Sequence, residues 1–215
     1  ADFYYQILSL NLKKVASIGT IGIKFKNKKK TLTNTTLDPI QLSSILKNLK
    51  KKTLTNTTLD PIQLSSILKN LKKKKIEYVI MEASSHGLKQ NRLDGLLFDV
   101  GIFTNLSHDH LDYHKSMKNY LQAKLYLFKK LIKKKGNIVT NAKIPQVQKI
   151  KNISIKKKLN LNFIFKEKKG IGLVSHRFEN EKQILEIIFQ NRKFYIQLNL
   201  IGKIQIKNIL MAMLA

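Results

Sequence analysis

The chain contains no cysteine, which excludes disulfides and thiolate metal sites from its stability and its chemistry. A reducing, cytoplasmic setting is the simplest expectation from that absence. No apolar run approaches the ~20 residues needed to cross a bilayer. Ala1–Leu10 has neither a basic start nor a small-residue cleavage site, so no secretory signal is expected. Arginine is scarce: Arg92, Arg177 and Arg192 are all there is. Acidic side chains are also few, 13 against 41 basic ones, leaving a net charge of +28 over 215 residues.

Lysine therefore dominates what is present. Clustered lysine neutralises phosphates, and a non-catalytic basic protein binding nucleic acid or another polyanion is one reading. Against it, the lysines are spread along the whole chain, and no aromatics are interleaved as a base-stacking platform requires. The abundance of Ile and Asn beside Lys matches an AT-rich codon bias, which raises charge without selection for it. Charge of this sign still draws anionic substrates from a distance. The 43% hydrophobic content suits a globular chain with a core.

A perfect tandem repeat interrupts the chain: residues 29–50 read KKTLTNTTLDPIQLSSILKNLK, and residues 51–72 read the same. Solenoids stack at least three copies, which drift apart, so two identical ones point instead to a recent duplication or a gene-assembly error. The second copy runs directly into the next strand and is taken as the native one. It places Asp60 at a helix N-cap and Pro61 at the first helical position. Leu64, Ile67, Leu68 and Leu71 follow at helical spacing.

Around the repeat, apolar strands alternate with helices. Phe3–Leu10 reads as the end of a helix and Lys14–Ile18 as a strand. Ile76–Met81, Phe98–Phe103 and Asn137–Thr140 are further strands, and Ser116–Lys133 is a helix. Strands apolar throughout imply a parallel sheet covered on both faces. From Ile153, short strands at Leu161–Phe165, Gly172–Ser175, Ile184–Phe189 and Phe194–Leu200 suggest a small antiparallel annex. Gln205–Ala215 begins a last helix. The expectation is an α/β fold, a doubly wound and mostly parallel sheet. With no linker-like stretch, residues 1–215 read as one incomplete domain.

Ligands in such sheets bind beyond the carboxyl ends of the strands. Two strands here end in dense polar clusters. IEYVIM is followed by Glu82, Ser84, Ser85 and His86; DVGIF is followed by Thr104, Asn105, His108, Asp109, His110, Asp112 and His114. If the two strands are neighbours, both clusters share one rim. A zinc site from His108, His110 and His114 matches no standard spacing. A Ser84–His110–Asp112 hydrolase lacks the G-x-S-x-G elbow. An oxygen-rich Mg²⁺ site at Glu82 suits phosphate chemistry better. Lys124 falls within the apolar face of its helix, beside Tyr120, Leu121 and Phe128. Among so many lysines one such placement can arise by chance, with the stem snorkelling out to solvent; in the functional reading burial favours a neutral amine, which can add CO₂ to become a metal-binding carbamate.

Taken together, ASIGTIG, LTNTTLDP, MEASSHGLKQNRLDGLLFDVGIFTNLSHDHLDYH, YLQAKLYLF and LIGKIQIKNILMA resemble the Mur ligase family, over nearly the whole chain. The resemblance implies a P-loop-type central domain and an ATP-dependent amide ligase of peptidoglycan synthesis. ATP would phosphorylate the D-glutamyl carboxylate of UDP-MurNAc-L-Ala-D-Glu, and a diamino acid, meso-diaminopimelate by default, would attack the acyl phosphate. It further implies Mg²⁺ on Glu82, His110 and carboxylated Lys124. The UDP-sugar dipeptide would contact Asn56, Thr57, Thr58, Ser84, Gln90 and Arg92, with Asn34, Thr35 and Thr36 their duplicates. Adenine would contact Asn208, although Ile204 and Gln205 replace a more usual aromatic-Asn pair. The family's G-x-x-G-K-[ST] loop and its N- and C-terminal domains are absent from this sequence. The expectation is therefore a monomeric part of a cytoplasmic ligase, inactive by itself, with no membrane partner.

Overall fold

The computed structural model describes residues 2–11, 14–19, 22–25, 58–179, 182–199 and 202–215. The first repeat copy, Asn34–Thr36, and Asn56 and Thr57 lie outside them. The chain divides into two compact units, Ala1–Asp94 and Gly95–Ala215. Among the described residues no helix is long and apolar enough to cross a membrane.

The first unit contains α1 (Asp2–Asn11), β1 (Val15–Gly19), β2 (Gly22–Phe25), α2 (Pro61–Lys73), β3 (Tyr78–Met81) and α3 (Ser85–Lys89). Its sheet runs β2-β1-β3, with β1 antiparallel to β2 and parallel to β3. Val15 to Ile18 of β1 are all buried, as a strand covered on both faces requires. Helix α2 starts where the sequence says it should. The Asp60 carboxylate accepts from the Ile62 and Gln63 amides at 3.0 Å each, and Pro61 follows. Leu64, Ile67 and Leu71 bury one stripe. Lys72 and Lys73 close the helix where its carbonyls favour cations.

The second unit contains β4 (Phe98–Phe103), α4 (Leu111–His114), α5 (Met117–Tyr126), β5 (Ile132–Asn141), α6 (Val147–Lys157), β6 (Asn160–Ile164), β7 (Gly170–Glu179), β8 (Lys182–Phe189), β9 (Arg192–Leu198) and α7 (Lys203–Leu214). Its strands lie in sequence order. The β4-β5-β6-β7 ladders are parallel, and those joining β7, β8 and β9 are antiparallel. Successive strand side chains face opposite sides, and β5 shows it. Ile138 packs with Phe103, Leu121, Leu125, Phe128 and Ile150, from β4, α5, its π-turn and α6. Its neighbour Val139 packs with Ile164, Leu185, Leu210 and Met211, beneath α7. Helices thus cover both faces, the expected doubly wound mixed α/β sheet with an antiparallel annex.

Two expectations change. The helix expected over Ser116–Lys133 stops at Tyr126, passes through a π-turn at Leu127–Leu131 and enters β5 at Ile132. Strand pairing of Ile132 with Phe98 claims those residues, while the apolar stripe runs on through Phe128 and Leu131 and hides the break. The widened turn seats Phe128 against Gly101 of β4, where a Cβ would stand 2.8 Å from its ring. Secondly, Leu161–Phe165 is not part of the annex: β6 pairs parallel with β5.

Candidate functional site

In the first unit the polar cluster after β3 is tied to Thr58, a side chain only 2% exposed. The Ser84 amide donates to Thr58 Oγ1 at 2.8 Å. The Thr58 hydroxyl in turn has Ser84 Oγ at 2.8 Å and the Glu82 carbonyl at 3.2 Å as acceptors. Ser84 Oγ caps α3 by accepting from the Gly87 amide at 3.1 Å. Arg92 Nη1 donates to the Thr58 carbonyl at 2.8 Å. Gly87 is required for this closeness, because a Cβ there would stand 2.6 Å from Thr58 Cβ. Thr58, Ser84 and Arg92 are therefore one bonded group, while Gln90 is exposed at the end of α3.

Glu82 follows β3 directly. Its amide bonds to the Ile18 carbonyl of β1 at 2.9 Å. Its side chain lies over the end of β1, so that a Cβ on Gly19 would come within 2.9 Å of Glu82 Oε2. The glycine ending ASIG is thus the floor on which the carboxylate rests.

In the second unit His110 and Lys124 meet at a common ring. Tyr120 and Lys124 share a face of α5, being four residues apart, and Lys124 Nζ stands 5.0 Å from the Tyr120 ring centre and 5.7 Å from that of Phe103. Nζ donates to the Asn105 carbonyl at 2.7 Å. Burial holds the Lys124 amine below the usual lysine range, against the charge of Asp109, which pulls it upward. Burial, and then Asp109, push the Tyr120 phenol above its usual range. His110 approaches Tyr120 edge-on at 5.9 Å, with its Nε2 3.5 Å from Asp109 Oδ2. His114 is fully buried and stacks on Tyr120 at 5.0 Å and 22°.

Among the described residues no three His, Cys, Asp or Glu side chains form a metal-holding group, so His108, His110 and His114 are not brought together as zinc ligands. Asn208 lies within α7, next to Lys207, which lines a cleft of ≈ 560 Å³ shared with Asn141, Lys143, Phe165, Lys166 and Lys168. The sequence reading missed the Asn105 carbonyl and the two close-approach glycines, Gly19 and Gly87. A glycine beside each polar cluster was their sole trace in the sequence.

The chain matches the Mur ligase middle domain family over residues 1–215. It is 34% identical to the UDP-N-acetylmuramoyl-L-alanyl-D-glutamate--2,6-diaminopimelate ligase of Rickettsia montanensis, covering 100% of this chain and 41% of the relative. To the ligase of that name from Chelativorans sp. (strain BNC1) it is 37% identical, over 99% of this chain and 39% of the relative. A solved structure of a ligase of that name superposes with a TM-score of 0.76 at 21% identity, covering 98% of this chain and 39% of that one. MurF ligase from Thermotoga maritima in complex with ADP superposes with a TM-score of 0.59 at 15% identity, over 98% and 40%. The chain spans about two-fifths of the length of the curated relatives it matches.

Proposed function

The chain belongs to the Mur ligase family, whose middle domain it matches from end to end, and from that premise we propose that it works within a UDP-N-acetylmuramoyl-L-alanyl-D-glutamate--2,6-diaminopimelate ligase. The reaction activates the D-glutamyl carboxylate of UDP-MurNAc-L-Ala-D-Glu with ATP and joins it to meso-diaminopimelate as an amide. Support comes from full-length relatives of that name at 34% and 37% identity. The structural observation that carries the site is the meeting of His110 and Lys124 at Tyr120.

In the second unit the proposed Mg²⁺ donors are His110 and Lys124. His110 supplies an exposed imidazole and Lys124 would bind in its carboxylated form; in the first unit Glu82 supplies an exposed carboxylate. The amine whose charge burial disfavours is the one able to add CO₂, losing a proton as the N–C bond forms. Bound Mg²⁺ would offset charge on the phosphoryl group being transferred. Gly19 lets the Glu82 carboxylate lie against the end of β1. Ser84, Gln90 and Arg92, with Asn56 and Thr57, take the UDP-sugar dipeptide. Thr58, whose hydroxyl is spent on Ser84, holds that group in place. Asn208 takes the adenine, and Lys143, Lys166, Lys168 and Lys207 draw anions toward the neighbouring cleft. The protein acts in the cytoplasm, where its nucleotide substrates are.

The test is phosphate release that requires ATP, UDP-MurNAc-L-Ala-D-Glu and diaminopimelate together, measured on the protein that carries this chain. Lys124→Ala should abolish turnover, and acetate or formate should restore part of it by supplying the missing carboxylate. Unchanged turnover in Lys124→Ala would remove the lysine from the mechanism.

A further inference from the structure

Tyr120 is only 4% exposed, yet its ring meets three chemically distinct groups at once. The His110 ring stands perpendicular to it, Lys124 holds its nitrogen over it, and His114 lies nearly parallel to it. The local chain is bent to make this possible. The short helix α4 is bracketed by His110 at φ 57° and Lys115 at φ 63°, both left-handed and neither glycine. Non-glycine residues hold that conformation only when their surroundings enforce it. Here the enforcement is visible. Ser116 caps α5 through the Asn119 amide at 3.2 Å, and the Asn119 side chain donates to the His114 carbonyl at 3.1 Å. The Tyr113 ring meets the other aromatic partner edge-on, 5.0 Å from His114.

We propose that Tyr120 is a positioning residue. Its ring, backed by buried His114, sets the His110 imidazole and the Lys124 head group at the spacing at which they serve one cation. The inference rests on the reading of His110 and Lys124 as a pair that shares an ion. An aliphatic side chain of similar size would fill the space but would not do this. It has no flat surface for the stacked His114 imidazole and no rigid ring for His110 and the Lys124 stem to pack against. The phenol oxygen is not needed, because every contact named here is made by the ring. Tyrosine at 120 is thus distinguished from ordinary core filling by which substitution restores it.

The experiment is Mn²⁺ binding to this chain, followed by electron paramagnetic resonance in bicarbonate buffer, with amide spectra confirming the fold of each variant. His110→Ala and Lys124→Ala should each weaken binding at least tenfold. Tyr120→Leu should match them although it removes no ligand, and Tyr120→Phe should stay within twofold of the unmodified chain. If Leu at 120 prevents folding, His114→Leu, which removes the stacked partner and leaves Tyr120 in place, should weaken binding at least threefold. Binding that falls in the His110 and Lys124 variants but is untouched in Tyr120→Leu, or in His114→Leu where that stands in, overturns the role of Tyr120 and leaves the metal pair standing. Equal losses in the Phe and Leu variants overturn the ring as the cause. An unmodified chain that binds no Mn²⁺, or variants of His110 and Lys124 that bind it normally, overturn the pair and this inference with it.

Discussion

Replacing Thr58 by valine keeps the shape of a buried side chain and deletes one hydroxyl. That hydroxyl is the acceptor for the Ser84 amide at 2.8 Å and has Ser84 Oγ at 2.8 Å as its nearer acceptor. Leaving the Ser84 N–H without an acceptor in a partly buried place costs about 1–3 kcal/mol, and the second bond is worth about 1 kcal/mol more. The methyl that replaces the oxygen returns up to about 0.8 kcal/mol. The net local cost is about 1–3 kcal/mol, which corresponds to amide exchange at Ser84 roughly 5- to 150-fold faster. Hydrogen exchange read by NMR at Ser84 and Gly87 measures this directly, with amides of the second unit as the internal control. Thr58→Ser, which keeps the oxygen, should leave Ser84 protected. If Thr58→Val left Ser84 exchange within threefold of the unmodified chain, the hydroxyl would not be the centre of this group. A direct substrate contact through Thr58 would then be the better account.

Other outcomes follow from single contacts. Gly170→Ala would place a Cβ 1.7 Å from the Phe163 carbonyl oxygen, a backbone atom that cannot move aside, so urea unfolding should show a loss of about 3 kcal/mol or more. Asp60→Ala removes the acceptor for two helix amides and should cost about 1 kcal/mol, seen as earlier urea unfolding; no change would mean that the cap does not hold α2. Lys124→Met tests the buried amine through pH. Its folded value lies below the ordinary 10.5, so between the two the unfolded chain binds more protons and stability rises with pH. The burial cost is present below the folded value and is relieved as pH climbs through it. Urea midpoints at pH 8 and pH 10 should therefore rise for the lysine form relative to Lys124→Met, and an equal pH response in both would refute the burial effect.

Local chemistry was readable wherever one residue type does one job. Asp60 and Pro61 announced the start of α2, and apolar runs announced β3, β4 and the middle of β5. The residue types at Glu82 and His110 marked an acid and an imidazole in the polar stretches after β3 and β4, and Lys124 an amine on the apolar face of α5. The stretch from Ser116 to Lys133 was misread because its apolar stripe continues through the π-turn, and periodicity carries no mark of where strand pairing takes over. Helix α6 gave little signal, since only Ile150 and Ser154 are buried along it.

The sequence by itself determined the alternation of strands and helices, the caps, and which ionisable side chains follow β3 and β4, because these depend on neighbours a few residues away. Tertiary structure alone decided that β6 joins the parallel ladder, that Thr58 faces Ser84 across 26 residues, and that Lys124 reaches the Asn105 carbonyl across 19. Such contacts depend on which edges pair and which helix face is covered. Those choices are made by the whole packed chain and leave no local trace.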